Sequence, residues 1–490
     1  MHIEKMILFI IISITTVLYL LFQPMDNSVV YGGAKKGVDN LIKFYKKGTT
    51  KDNQIAFDKL NAVREKINDV AVIVDDIPDS IQYESLGQTR LGNHFGQRKL
   101  GLSEIQFFNE WSKICDEPVY CVYAGAAPSN KTHILIDLFP KIKLILVDPN
   151  KFEIMVPNPN KKGVISHRNV TSPDSDIIHL ISHFPTKSKE FEGARTRKIK
   201  EMDDTDMDKL ALFMNNDNVH NIYVMEDFFD ESGEIMSAFL KRLNRKIIFI
   251  SDIRSNVSNE QFPTDFDIIW NTAMMFNWIK SIRPEYSMIK FRLPFFADTK
   301  TQEIWKSEEE TFKIAKSNGV DFIADNTEKK FRMFSGKPFL QVWPGRSSTE
   351  LRLHTTKSEI DNIIEYDINL IEARLNYYNI IYRMLVCHNN PNSNKKLGFC
   401  LCNDCAIENC IWSDYINISN SKKSVEFYVR EMDMLSRQQL SRRHEHQIHK
   451  PLTIDAIRKL FEYGEKKSKE YLATGHKNKF GKQRGNKGKA

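Results

Sequence analysis

Seven short apolar runs recur along the chain between helical or loop segments: VYCVYAG (Val119–Gly125), KLILVDP (Lys143–Pro149), IYVMEDF (Ile222–Phe228), KIIFISDI (Lys246–Ile253), MIKFRLPF (Met288–Phe295), PFLQVW (Pro338–Trp343) and ELRLHT (Glu350–Thr355). The early runs are apolar at almost every position, and a strand of that kind has both faces buried, which is the condition of a parallel sheet covered by helices on both sides. The expected class is therefore α/β, Rossmann-like, with a largely parallel seven-stranded sheet. In LGLSEIQFFNEW (Leu100–Trp111), Leu100, Ile105, Phe108 and Trp111 lie near one helical face, so a helix leads into the first strand.

At 490 residues the chain exceeds the usual size of one domain. Its composition shifts divide it into a hydrophobic segment over 1–25, a basic helical linker over 26–79, the sheet domain over 80–386, a small Cys- and His-containing helical appendage over 387–465, and a disordered basic tail over 466–490. Within the sheet domain, the charged stretch from Pro185 to Asp204 reads as a solvated surface insertion, and Ile360–Val386 reads as one long helical run.

The two ends carry the strongest local biases. Met6–Phe22 holds 17 uncharged, mostly apolar residues, near the lower limit for crossing a bilayer. Lys35, Lys36, Lys43, Lys46 and Lys47 follow it and Lys5 alone precedes it, so a membrane anchor here would leave the main domain in the cytoplasm. A soluble or processed leader is the other reading of the same residues. The formal net charge of +7 is concentrated in the final stretch, where Gly464–Ala490 carries eight Lys and one Arg against two Glu. Such a tail either tracks phosphates or aids solubility. Seven cysteines without a regular disulfide framework fit a reducing compartment.

After the first strand, Ala124, Gly125, Ala126 and Ala127 allow close backbone approach to a ligand, and Pro128 fixes the turn before the next helix. The second strand ends in VDPN, which puts Asp148 where an acidic side chain can hold a ribose diol. A dinucleotide cradle needs G-x-G-x-x-G for its pyrophosphate, whereas GAAPSN keeps only the first glycine. That favours S-adenosyl-L-methionine, which has no phosphate to seat, over NAD. Asp227, near the third strand's end, is either a partner of the adenine amino group or a surface carboxylate.

Four charged residues occur at the ends of expected elements: Lys99, Asp252, Lys290 and Glu350. Two ammonium groups and two carboxylates in one cleft neutralise each other pairwise, and a neighbouring cation favours the neutral lysine that a general base must become. Such a base can take the proton of a ribose hydroxyl.

The ordered stretches GQRKLGLSEIQFF, VYAGAAP, LILVDP, IIFISDIRS, IKFRLPF, LQVWPGRSSTELRL and IEARLNYYN resemble the poxvirus-type cap-specific mRNA (nucleoside-2'-O-)methyltransferases, which are also poly(A) polymerase regulatory subunits and fall within the FtsJ/RrmJ-like methyltransferases. The resemblance covers residues 83–386. It implies a large DNA virus as source, action in the host cytoplasm at viral factories or in the virion, capped mRNA as substrate, and a poly(A) polymerase catalytic subunit as partner. Lys99, Asp252, Lys290 and Glu350 then correspond to the catalytic tetrad, with Lys290 as general base toward the 2'-hydroxyl of the first transcribed nucleotide. Gly125, Ala127, Pro128 and Asp148 correspond to the cofactor pocket. Phe295 corresponds to an aromatic residue that stacks on 7-methylguanine, Glu372 to the carboxylate that reads the guanine edge, and Asp298 and Tyr83 to further cap contacts. The turn APSNKTH is longer than the family's APG-T-H and lacks its glycine, which implies a reshaped methionine end.

Cys402-x2-Cys405 suits one side of a tetrahedral structural Zn2+ site, which Cys387 or Cys400 with Cys410 would complete. Buried thiols without metal are the alternative. His444, His446 and His449, with Arg442, Arg443 and the tail, make a basic surface suited to RNA backbone contact.

Overall fold

The computed structural model describes residues 71–81, 96–157, 165–170, 177–181, 194–195, 201–253, 264–294, 305–324, 329–383, 403–439 and 454–474, apart from positions 78, 130, 219, 293, 307, 308, 343 and 346. The strands run in chain order as β1 (Val119–Ala124), β2 (Ile142–Val147), β3 (Phe152–Pro157), β4 (Ile165–Val170), β5 (Ile177–Ile181), β6 (Ala194–Arg195) and β7 (Ile222–Met225). They continue as β8 (Lys246–Ser251), β9 (Tyr286–Arg292), β10 (Asp321–Ala324), β11 (Lys329–Phe334), β12 (Lys337–Phe339), β13 (Glu350–Thr356) and β14 (Ile363–Asp367).

The main sheet has nine strands in the order β12-β13-β9-β8-β1-β2-β7-β5-β6. Its five central strands, β9 through β7, are mutually parallel, and antiparallel pairs flank them on both sides. The seven apolar runs supply seven consecutive places in this order, so the mostly parallel, Rossmann-like sheet stands. Its two extra edge strands are β5 and β6. Because β6 lies between Pro185 and Asp204, that charged stretch is not wholly a surface insertion. β1, β2 and β7 are buried at every position, as their predominantly apolar sequence requires, and Lys143 of β2 is buried with the rest.

The helices are α1 (Gly96–Ile114), α2 (Thr132–Leu138), α3 (Asp204–Asn216), α4 (Glu234–Leu240), α5 (Asp265–Ile282), α6 (Glu310–Ser317), α7 (Ile368–Tyr377), α8 (Asn403–Ser419), α9 (Val425–Gln439) and α10 (Ile454–Thr474). Local chemistry sets several starts. Asp203 accepts from the Asp206 N–H at the head of α3, and Thr264 and Asp267 form a reciprocal capping box before α5.

Three expected boundaries shift. The run Ile360–Val386 is not one helix: Ile363–Asp367 forms β14, paired with β11 in a three-stranded sheet with β10. Asp367 ends that strand by accepting from the Leu370 N–H, and α7 starts there before passing into a π turn at Tyr378–Tyr382. Within 387–465, α8 packs against α1. Arg98 Nη2 donates to both Glu408 oxygens at 2.9 and 3.0 Å, and Asn109 Nδ2 donates to the Ile411 carbonyl at 2.8 Å. This explains why α1 is buried on all sides from residue 101 to 109.

Packing also starts before residue 80 and continues past 465. Ala71, Val74 and Ile77 are core residues, and Leu340 donates its N–H to the Val72 carbonyl at 2.8 Å. Gly464 of α10 lies against Ile381, where an added Cβ would sit 2.8 Å from its Cδ1. Ser468 Oγ donates to Asp79 Oδ1 at 2.8 Å and Tyr471 is buried, so 466–474 is helix rather than basic tail. Among the described residues no helix is long and apolar enough to cross a membrane. The Met6–Phe22 segment lies outside them.

Candidate active site

The cradle forms where β1 turns toward α2. Gly125 has φ +77°, a left-handed conformation that strains any residue with a Cβ, and a Cβ there would lie 2.9 Å from the Ile253 backbone. The β1 turn and the segment after β8 therefore touch, an approach also fixed by the Asp252 N–H donating to the Ala124 carbonyl at 3.2 Å. Asp148, at the end of β2, is buried. Its Oδ2 accepts from the Ala127 N–H at 3.1 Å, and its Oδ1 accepts from the Asn150 backbone and side chain at 2.8 and 2.9 Å. Asp227, just past β7, is buried as well and accepts from the Phe228 N–H at 2.7 Å. Both acids thus stand beyond the carboxyl ends of parallel strands, where open α/β sheets bind ligands.

The longer turn is anchored from behind. Lys131 Nζ lies 3.2 Å from Glu104 Oε1, which also accepts from the Tyr123 hydroxyl at 2.6 Å. Burial pushes the Glu104 carboxyl above the ordinary range, although Lys131 and Tyr123 pull the other way.

The sheet order β13-β9-β8-β1 brings Lys99, Asp252, Lys290 and Glu350 into one cluster. Lys290 Nζ lies 3.5 Å from Asp252 Oδ1 and 3.4 Å from Glu350 Oε2, and Lys99 Nζ lies 3.5 Å from Glu350 Oε1. Lys290 is on β9, Glu350 opens β13, Asp252 follows β8 and Lys99 reaches in from α1. Each partner thus comes from a different part of the sequence.

Two more residues complete the cluster. Arg352 is 2 % exposed, donates from Nη1 to Asp252 Oδ1 at 2.8 Å, and reaches Glu350 Oε1 from Nη2 at 3.3 Å. Burial pulls its pKa down, but the Asp252 and Glu350 charges more than offset this and hold it above the ordinary range. Gln341 Nε2 also donates to Glu350 Oε1, at 3.0 Å. Arg352 takes up part of the negative charge of both carboxylates, so Lys290 does not face them alone. The register makes this possible: Arg352 stands directly opposite Lys290 across the β13–β9 ladder. A buried arginine two places beyond an acid on an apolar strand was the available signal, because residues i and i+2 share a face.

Glu372 belongs to a second cluster, on α7. Burial pushes its carboxyl up to about 8 against the pull of Lys329, and Asp265 adds to the rise. Phe295, Asp298 and Tyr83 lie outside the described residues, as do Cys387, Cys400, Cys402 and the Cys405 side chain. Cys410 is buried on α8, and among the described residues no group of three or more His, Cys, Asp or Glu could hold a metal ion.

No curated protein matches the chain. Residues 204–432, which contain Asp252, Lys290, Glu350 and Arg352, match the family model described as poly A polymerase regulatory subunit.

Proposed function

We propose that the chain is the regulatory, RNA-binding subunit of a poly(A) polymerase and that its sheet-end cleft also methylates a ribose 2'-hydroxyl of capped mRNA. The family match over 204–432 supports the first part. The second rests on one observation, the convergence of Lys99, Asp252, Lys290 and Glu350 within ion-pair distance from four separate elements. A noncatalytic processivity factor has no need of that cluster. The partner would be a polymerase catalytic subunit, and the site of action the host cytoplasm, at a viral factory, or the virion.

The donor set of the cradle supports S-adenosyl-L-methionine. Gly125 leaves no room for a Cβ, and two buried carboxylates stand at the strand ends. When bound, that group supplies an electrophilic methyl. Gly125, Ala127 and Pro128 would line it, Asp148 would accept from a ribose diol, and Asp227 from an adenine amino group. In its neutral form Lys290 would take the proton of the attacking 2'-hydroxyl, and Asp252 and Glu350 would stabilise the resulting ammonium. Arg352 and Lys99 would keep those two acids in place. Glu372, where protonated or ionised, offers a buried carboxyl group for hydrogen bonding to a purine edge.

The test measures labelled methyl transfer to short RNAs with and without a 7-methylguanosine cap, together with tail extension by the partner polymerase. Cap-dependent ribose labelling should fall by about 10²–10⁴-fold in Lys290→Ala, the usual contribution of a general base. Equal labelling by both proteins would remove Lys290 from that role. No labelling by the wild type, with tail extension still stimulated, would leave the regulatory function alone.

A further inference from the structure

A groove of about 630 Å³ lies away from the tetrad, beside the three-stranded sheet β10-β11-β14. That volume falls within the ~300–1,000 Å³ range of small-ligand sites. Its floor is apolar: Trp305 and Phe322 are 6 % and 4 % exposed, and Val320 lies between α6 and β10. Its walls are cationic. Lys306 and Arg332 are exposed, and Lys316 Nζ lies 5.1 Å above the Trp305 ring.

The lining sets these three cations against one acid. Among the described residues none of them forms a salt bridge, whereas neighbouring Lys330 lies 3.5 Å from Glu365. The one acid of the lining, Asp321, stands opposite Arg332 in the β10–β11 ladder. Its Oδ1 is engaged locally, accepting from the Phe322 N–H at 2.7 Å. Glu365 stands opposite Arg332 on its other side, in the β11–β14 ladder, and is outside the groove lining; it lies 3.5 Å from Lys330. The groove therefore presents an excess of positive charge over an aromatic and aliphatic floor.

Such a combination suits one ligand class better than others. A phosphodiester satisfies ammonium and guanidinium donors, and the attached base or sugar covers apolar surface that a simple anion would leave wet. We propose that this groove binds a nucleotide-sized segment of single-stranded RNA, with its phosphates against Lys306, Lys316 and Arg332 and a base or sugar over Trp305 and Phe322. The inference goes beyond the methyl-transfer centre and does not require it.

The full-length chain is titrated against a short, fluorescently labelled, uncapped RNA, with no methyl donor present, at several salt concentrations. The triple variant Lys306→Glu, Lys316→Glu, Arg332→Glu should bind at least tenfold more weakly. The slope of log affinity against log salt should become shallower by about 2, because each lost phosphate contact on a single strand removes roughly 0.7. Unchanged affinity and slope in a variant with wild-type thermal melting would overturn the proposal. Photo-crosslinking of 4-thiouridine RNA to the wild type provides a measurement independent of the variant's folding. Adducts within residues 305–332 support the assignment, and adducts confined to other segments defeat it. Polyglutamate that displaces the RNA as well as unlabelled RNA does would also defeat the nucleotide assignment. Cap and donor are both absent, so failure here and failure of methyl transfer are read separately.

Discussion

Arg352 donates to Asp252 at 2.8 Å from a side chain that is almost completely buried. With its second contact to Glu350 it ties the end of β8 to the start of β13. Removing one partner of a buried ionic group is costly, because the charges left behind stay desolvated. Arg352→Met should therefore lower stability by about 3–5 kcal/mol, and Arg352→Lys by less, since it keeps the charge and loses the fork. Urea unfolding at neutral pH measures both. A Met variant as stable as the wild type would mean that the carboxylates do not depend on the guanidinium.

Gly125 is the second test position. Alanine at φ +77°, with its Cβ 2.9 Å from the Ile253 backbone, must move the turn or the segment after β8. Gly125→Ala should cost more than about 1 kcal/mol, the scale of the backbone effect alone. Calorimetric binding of S-adenosylhomocysteine should weaken at least tenfold. Full binding with unchanged melting would show that the cradle is not where a ligand sits.

The union of α1 with α8 rests on a buried ion pair in which Arg98 Nη2 donates to both Glu408 oxygens. Glu408 also accepts from Trp412 Nε1 at 3.4 Å. Glu408→Gln removes the carboxylate charge that faces the Arg98 guanidinium in the core, so a loss of about 3 kcal/mol is expected. Hydrogen exchange should accelerate in both helices together. Acceleration restricted to 403–439 would indicate that this region folds independently.

His354 makes stability depend on pH. Burial, with Arg352 and Lys337 adding positive charge nearby, lowers its pKa from 6.5 to about 3. Its Nδ1 lies 3.0 Å from the Tyr286 hydroxyl, while its Nε2 is buried with no hydrogen-bond partner among the described residues. The folded state keeps the ring neutral where the unfolded chain would protonate it, so unfolding takes up a proton between those two values. The stabilisation is complete above pH 6.5 and is lost as pH falls toward 3, with a slope approaching 1.4 kcal/mol per pH unit. His354→Gln should flatten the decline in melting temperature between pH 7 and pH 5. An equally steep decline in both proteins would assign it to other groups.

The central strands could be read from sequence because burial on both faces leaves a mostly apolar run, a signal that needs no partner. Lys99 near the start of α1, Asp252 after β8, Lys290 within β9 and Glu350 at the start of β13 were legible as charges in or beside such elements. Arg352 was missed although it sits inside one, because its function depends on a cross-strand neighbour 62 positions away in sequence, Lys290. The β14 segment was misread as helix since IIEYD carries apolar residues compatible with either period, and only pairing with β11 decides it. The packing of α8 on α1 was equally hidden, because a buried Arg98–Glu408 pair looks like two surface charges until the helices meet.

The antiparallel placement of β13 beside β9 makes the cluster sensitive to reading frame. Glu350 and Arg352 share a face only because they are two apart, so inserting or deleting one residue between them would place them on opposite sides of the sheet. Loops on either side can change length without that penalty. Variation in related chains should therefore collect in the connections and spare the spacing of that short acid–arginine step.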